Sequence, residues 1–463
     1  MAEIYDAIVV GRGPVGVIAS FELLAQGKKV LNIDAGIGVK YLQSLINFKS
    51  NLNYTGVEKL PSLNPDFSNY LWGGACMGWH DFSNKSDSLL MPYLPIEKQL
   101  FEKQQNRIAK ILGLDDFNFD LDLPKKVKNS NSNLYEIVFA KIIKDPYLRN
   151  LINDLESKSR YTFNSNFLIK SIKSLKGNLE ILTINYPSFN NTKIIAKELF
   201  LAAGTLENTR ILLSNSKELG LEDNAYLGKN LSDHYSINIA KIFSKNFTAL
   251  AQDFDYRFDK NGTRLWPRVR LRNINYKESE IRSFAYFTEF NYNTAPLKIV
   301  EYIERKMSPT LAKLVRSEGT AMINLFVEAE NSESNKIEIL NGNQDTIPKM
   351  RLDFNISEEE ILNIGAISTD LLYWFKGGYN GSKRENSVIT LNSVKAHKIQ
   401  TRSHPSGTYR ISDSKNYGVV NKNSRLWSDS RIAVLGSGAF PRSVATHPTF
   451  PSMVTASISV ANE

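Results

Sequence analysis

The chain has 463 residues, 42% of them hydrophobic and 23% charged, with a formal net charge of +9. That length allows roughly three domain-equivalents at about 150 residues each, and the composition excludes a disordered or fibrous chain. One cysteine, Cys76, excludes an intrachain disulfide and fits a reducing compartment, while basic residues spread along the whole chain give no nucleic-acid or membrane patch.

In chain order, residues 3–10 read as a strand, 14–26 as a helix and 28–34 as a second strand. No secretory signal opens the sequence. The most apolar stretch, Ile8 to Ala25, contains Arg12, Glu22 and several glycines, so a membrane span is not expected and a cytoplasmic protein is. Residues 40–70 are irregular, Pro95 to Leu112 has helical periodicity, and 124–134 reads as a loop rich in Lys, Asn and Ser. Residues 161–203 carry short strands ending in the apolar run Leu199 to Ala203. Alternating aromatic strands fill 240–354, with a helical stretch near 297–316 whose lysines leave a membrane-surface contact as an alternative. A further helix begins at Ser357, where Ser357 and Glu360 form a capping box, and Gly377-Gly378 marks its end. The tail holds a strand, Arg431 to Leu435, and a final helix after Pro451. Nucleotide-binding signals at both ends and a β-rich middle indicate an α/β fold. It has a discontinuous, Rossmann-like cofactor domain (1–95, 155–239 and 400–463), connecting helices and loop at 96–154, and an inserted, mainly antiparallel substrate domain at 240–399.

The N-terminal signal is Gly11-Arg-Gly13-Pro14-Val15-Gly16, placed between a strand and a helix. Gly11 permits the tight turn, Gly13 the close approach of a pyrophosphate, and Gly16 the packing of helix on strand. The pyrophosphate then sits at the helix N-terminus. Asp34, followed by Ala35, ends the second strand and is placed to accept hydrogen bonds from the adenosine ribose. No second fingerprint follows for a nicotinamide cofactor, and a second strand–glycine unit ends at Ala203-Gly204. Both favour FAD over NAD alone.

These blocks, with Leu71-Trp72-Gly73-Gly74-Ala-Cys76-Met77-Gly78-Trp79, Leu201 to Leu213 and Gly228-Lys-Asn-Leu-Ser-Asp233-His234, resemble those of the GMC (glucose–methanol–choline) oxidoreductases. Trp79 and Glu207-Asn208 look nearest the pyranose-oxidase and bacterial sugar-dehydrogenase branches. The resemblance implies that Trp72, Gly73, Gly74, Met77, Gly78 and Trp79 wrap a flavin. Gly438, Ala439, Pro448 and Thr449 are further cofactor contacts, with backbone N–H groups near Pro448-Thr449 placed to stabilise reduced flavin. Some relatives tether the flavin through a histidine just before the tryptophan. Gly78 stands there, so the FAD is expected to be non-covalent, with a link through Cys76 or His80 as the alternative.

By the same resemblance, His404 (in Ser403-His404-Pro-Ser-Gly407-Thr408) and His447 (in Thr446-His447-Pro448) fall on the family's two active-site positions. The chemistry needs such groups, because hydride loss from an alcohol carbon leaves positive charge unless the hydroxyl proton departs too, and imidazole suits that proton. His404 is read as the base and His447 as its orienting partner. His234 reads as support for the cofactor-domain edge and His397 as structural. No histidine cluster has metal-ligand spacing, and no metal is expected.

The expected activity is oxidation of a CH–OH group of a sugar, sugar derivative or other alcohol to the carbonyl, with oxygen or a quinone-like compound as acceptor and no nucleic-acid partner. A flavoprotein lyase or a catalytically silent FAD-binding protein of the same fold are the alternatives. Trp266, Arg268, Arg270 and Arg272 share one strand face, read as facing water; turned inward, they would indicate an anionic substrate. Phe284, Tyr286, Phe290 and Tyr292 alternate similarly, read as core rather than as a sugar-stacking row.

Overall fold

The computed structural model describes residues 3–36, 44–51, 82–83, 94–112, 135–142, 146–244, 319–340, 347–376, 387–401, 404–443 and 448–461, with strand segments and single positions between 247 and 306. The readings of the loop at 124–134, the helix near 297–316, the helix end at Gly377-Gly378, the glycine–tryptophan block with Cys76 and His80, and His447 lie outside these residues.

The chain opens with strand β1 (Ile4–Val10), helix α1 (Pro14–Ala25) and strand β2 (Val30–Asp34). β1 and β2 are parallel, with Ala7 opposite Val30 and Val10 opposite Ile33. A parallel sheet covered on both faces needs nearly continuous apolar strands, and Ala7, Ile8, Val9, Val30 and Ile33 are all fully buried. Helices α2 (Lys98–Ile111) and α3 (Pro146–Glu156) follow. Next come strands β3 (Tyr161–Ser165), β4 (Phe167–Ser174), β5 (Leu179–Asn185) and β6 (Asn190–Leu201), and helix α4 (Thr205–Ser214). The sheet order is β3-β2-β1-β6-β5-β4.

The middle of the chain builds a second sheet from β7 (His234–Ser244), β8 (Arg264–Leu271), β9 (Ser283–Tyr292), β10 (Gly319–Glu328) and β11 (Ser387–Leu391), in the order β11-β7-β10-β9-β8. Helix α5 (Glu358–Lys376) covers one face, where Ile364, Ile367, Leu371 and Phe375 meet Ile237, Phe287, Ile323 and Leu325. Its start is the expected capping box: the Ser357 N–H donates to Glu360 Oε2 (2.9 Å) and the Glu360 N–H to Ser357 Oγ (3.1 Å). The chain then returns to the first sheet as β12 (Ile432–Val434), parallel to β6 at Leu199–Leu201, and ends in α6 (Thr449–Ala461). That helix begins two residues before Pro451, not after it. Proline is tolerated there because first-turn N–H groups have no helical acceptor. Glu22 joins three helices, accepting from Ser457 Oγ of α6 (2.8 Å) and Arg107 Nη2 of α2 (2.7 Å).

Three strands fall where the sequence reading placed no substrate sheet. Tyr135–Ile142 pairs with β8, although it lies in the span read as connecting helices and loop. β7 begins at His234 and crosses the 239/240 boundary. Ile46–Lys49 pairs in parallel with Lys349–Asp353 in a small three-stranded sheet. The polar run before Tyr135 hid a segment whose Tyr, Ile, Val and Phe suit a strand.

Candidate functional site

At the fingerprint, Gly11 has φ +103°, and a Cβ there would lie 2.4 Å from the Ala202 carbonyl oxygen; one at Gly16 would lie 2.0 Å from the Gly11 carbonyl oxygen. Both glycines are therefore required by close packing. Gly13 is the N-cap of α1 and Pro14 occupies its first turn, where its fixed φ suits the helix and no N–H is missed. Val15 is half-buried against the core. Asp34 ends β2 with both carboxylate oxygens engaged: the Arg12 N–H donates to Oδ2 (2.7 Å) and the Gly36 N–H, just past Ala35, to Oδ1 (2.8 Å). Burial pushes the carboxyl up to about 6, against the lowering effect of those bonds and of the Arg12 charge. The Arg12 side chain pairs with Glu156 and lies over the Phe163 ring (3.9 Å).

The second glycine unit is built similarly. Gly204 has φ +84° and caps α4; a Cβ there would meet nothing within 4 Å, so the space before it is open. The Ala203 N–H donates to Asn208 Oδ1 (3.0 Å), while Asn208 Nδ2 reaches the carbonyls of Leu201 and Leu435 and the Tyr409 hydroxyl. Arg210 is fully buried, bonded to Glu207 and to the Ile169 carbonyl, and fixes α4 on β4.

The histidine motif is anchored onto this unit. The Pro405 carbonyl accepts from Thr205 Oγ1 (2.7 Å) and Ser437 Oγ (2.8 Å), and the Thr408 and Thr209 hydroxyls meet at 2.6 Å. Gly407 has φ +91°, and a Cβ would lie 2.2 Å from the Asn230 carbonyl oxygen. Gly438 and Ala439 carry packing duties here. A Cβ on Gly438 would strike the Tyr409 ring at 2.1 Å, and the Ala439 carbonyl accepts from the Ile411 N–H. The Pro448 carbonyl accepts the first bond of α6, from Ser452. Pro448 itself has no N–H, so anion-facing donors at that end come from Thr449 and Phe450.

His404 is not isolated. Its backbone N–H donates to Asp233 Oδ2 (3.0 Å), the His234 N–H donates to Asp233 Oδ1 (2.7 Å), and His404 Nδ1 lies 3.0 Å from His234 Nε2. Asp233 and His234 are fully buried and His404 is partly exposed. His234 was read from sequence as edge support; the structure puts it against the candidate base. Asp233, His234 and His404 bring three ligand-type atoms within 4.8 Å. No spacing rule could see this cluster, because its parts lie 171 residues apart. Both Asp233 oxygens already accept backbone N–H groups, and the two imidazole nitrogens sit at hydrogen-bond distance. His397 is exposed in a short turn.

His234 opens β7 on the sheet face away from α5. Register puts Ser236 opposite Phe326 on that face, and the His234 and Phe326 rings lie 5.0 Å apart. Two readings of the substrate strands change. Val269 is buried in the core under α5, so its neighbour Arg268 belongs to the histidine face; Arg268 is 1% exposed and does not face water. A bulge between Thr288 and Asn291, with Glu289 at φ +52°, breaks the aromatic alternation. Tyr286 lies by Phe326 (4.9 Å), whereas Phe290 packs against Phe247 (5.9 Å) in the core.

Residues 331–456 match the family model described as GMC oxidoreductase. The fold is similar over 99% of both chains to the crystal structure of pyridoxine 4-oxidase from Mesorbium loti, with a TM-score of 0.54 and 14% sequence identity, a likeness of fold alone. No curated protein matches the chain by sequence. The family match covers the strand, glycine and histidine segments that close the site, so residues 331–456 are similar to the corresponding part of GMC oxidoreductases, and the rest of the chain shares the fold alone.

Proposed function

We propose that the protein binds FAD non-covalently and oxidises a CH–OH group of a sugar, sugar derivative or other alcohol to the carbonyl, working in the cytoplasm with oxygen or a quinone-like acceptor. The observation that carries this is the anchoring of His404. Its loop is bonded to the first turn of α4 behind Gly204 and to Asp233 at the head of the substrate sheet. A base is thereby held where the nucleotide-binding unit meets the substrate-facing strands.

The residues present suit FAD. The first turn of α1, with Gly13 and the space secured by Gly11 and Gly16, would hold the pyrophosphate. Asp34 would accept from the ribose, and the open side of Gly204 and the N–H groups of Thr449 and Phe450 would face the ring half. When bound, the flavin supplies the acceptor for the hydride leaving the alcohol carbon. The chain does the rest. His404 takes the hydroxyl proton, His447 orients the same oxygen, and the wall of Tyr286 and Phe326 keeps water from the imidazole pair. Arg268 is buried on the same face, and the donor panel therefore includes sugar phosphates and uronates.

Anaerobic mixing with a panel of neutral sugars, sugar phosphates, uronates and pyridoxine tests the reading. Bleaching of the flavin by one donor class, with formation of the matching carbonyl, is the expected result. A colour that survives every donor while the protein cleaves a hydroxynitrile would make it a lyase. Survival without any turnover would make it a silent FAD-binding protein.

A further inference from the structure

We infer that His234 is a positioning residue that fixes the tautomer of His404 and shares its proton. The inference rests on the oxidoreductase reading of the site. Two imidazole nitrogens at 3.0 Å can hold only one proton between them when both rings are neutral. If His234 Nε2 carries it, His404 Nδ1 accepts, and the outer nitrogen of His404 bears hydrogen and cannot act as a base. If His404 Nδ1 carries it, His234 Nε2 accepts, and His404 Nε2 presents a lone pair to the reacting hydroxyl. The second state is the one we assign.

The surroundings support it. Asp233 accepts both backbone N–H groups, so the two ring positions are set by one buried carboxylate. Phe326 closes on His234 and holds its plane. His234 is the register partner of Glu328, a buried carboxylate paired with Arg442 Nη2 (3.1 Å). A buried ion pair, Glu328 with Arg442, thus stands on the strand beside His234, and Asp233 lies beneath both imidazoles. The step balances simply. The alcohol O–H bond breaks and its proton joins His404 Nε2, the carbinol C–H bond breaks as C=O forms, its hydride going to the acceptor that a bound flavin would supply, and the Nδ1–H bond to His234 strengthens as His404 becomes an imidazolium. His234 thereby plays, as a neutral acceptor, the part an aspartate plays behind other catalytic histidines.

With five histidines in the chain, ring nitrogen NMR on the FAD-loaded protein is a direct test. The expected wild-type spectrum shows His404 protonated at Nδ1 and bare at Nε2. In His234→Phe the proton moves largely to Nε2, the His404 titration midpoint falls, and flavin reduction slows about 10- to 100-fold at saturating donor with little change in KM. His234→Gln, whose amide oxygen can accept the Nδ1–H, restores the tautomer and most of the rate. Three results overturn the inference: a wild-type His404 protonated at Nε2, a His234→Phe spectrum indistinguishable from wild type, or ring signals that change on treatment with a chelator, which would mean a shared metal ion. The two readings fail separately. The tautomer result can hold in a protein whose flavin no donor reduces, and donors can reduce a flavin beside a His404 whose tautomer ignores His234.

Discussion

At the scale of single residues, the site depends on two groups, His404 and Asp34, each held by named neighbours. Removing the His404 ring should leave FAD bound and the chain folded, because the loop is held through the backbone and through Pro405, Thr408 and Tyr409. His404→Ala is expected to slow flavin reduction by roughly 10²- to 10⁴-fold, the usual worth of a positioned base; stopped-flow absorbance reads this, and near-normal reduction would remove His404 from the chemistry. Asp34 gives a pH prediction. Its folded pKa of about 6 lies above the unfolded value of about 3.9. The folded state therefore binds more protons between those pH values, and the stability from this group is present below about pH 4 and lost as pH rises through 6. The full effect is about 3 kcal/mol. Ribose hydroxyls donate to the ionised carboxylate, so FAD should bind roughly tenfold more weakly at pH 5 than at pH 7. Fluorescence titration at the two pH values checks this, and in Asp34→Asn the dependence should flatten.

At the scale of elements, the glycines are fixed by what touches them. Gly438→Ala drives a methyl into the buried Tyr409 ring and should cost about 1–3 kcal/mol of unfolding free energy, measured by urea denaturation. Ser357→Ala removes one half of the capping box of α5 and should cost about 1 kcal/mol by the same measurement. These elements differ in how far the sequence reveals them. The β1–α1–β2 unit and the capping box are legible because the residues of each motif lie within a few dozen positions and spacing encodes the local geometry, although the contact that requires Gly11, with Ala202, is remote. The histidine loop is legible as a motif. His234 is not, since its meaning comes from a residue 170 positions away. Arg268 is illegible for another reason: alternation shows which residues share a strand face, but the covering helix, coded ninety residues later, decides which face is the core. Similarly, the bulge after Thr288 comes from Glu289 at φ +52°, which no residue preference announces.

At the scale of the whole molecule, two sheets with separate cores meet along one seam, and the site lies on it. On the nucleotide-binding side of the seam, Asn208 ties the glycine unit to the histidine loop. From the first turn of α4 it bonds the end of β6, the carbonyl after β12 and the Tyr409 hydroxyl of the histidine loop, across more than two hundred positions of sequence. It also accepts the Ala203 N–H beside Gly204. Tyr409 is fully buried, its hydroxyl pushed up to about 12 by burial, so it stays a neutral donor at any working pH. Asn208→Ala would leave the part-buried Ala203 N–H without its acceptor, while the Leu201 and Leu435 carbonyls keep the Leu435 N–H and the Tyr409 hydroxyl. One unsatisfied group costs about 1–3 kcal/mol, and a loss in that range is expected. The same change loosens both the glycine turn and the histidine loop, so FAD affinity and flavin-reduction rate should fall together, whereas Ser357→Ala lowers stability and leaves both alone. Denaturation, FAD titration and anaerobic stopped-flow on the two variants separate these cases. If Asn208→Ala lowers stability without touching either functional quantity, its bonds are mere packing, and the position of His404 owes nothing to them.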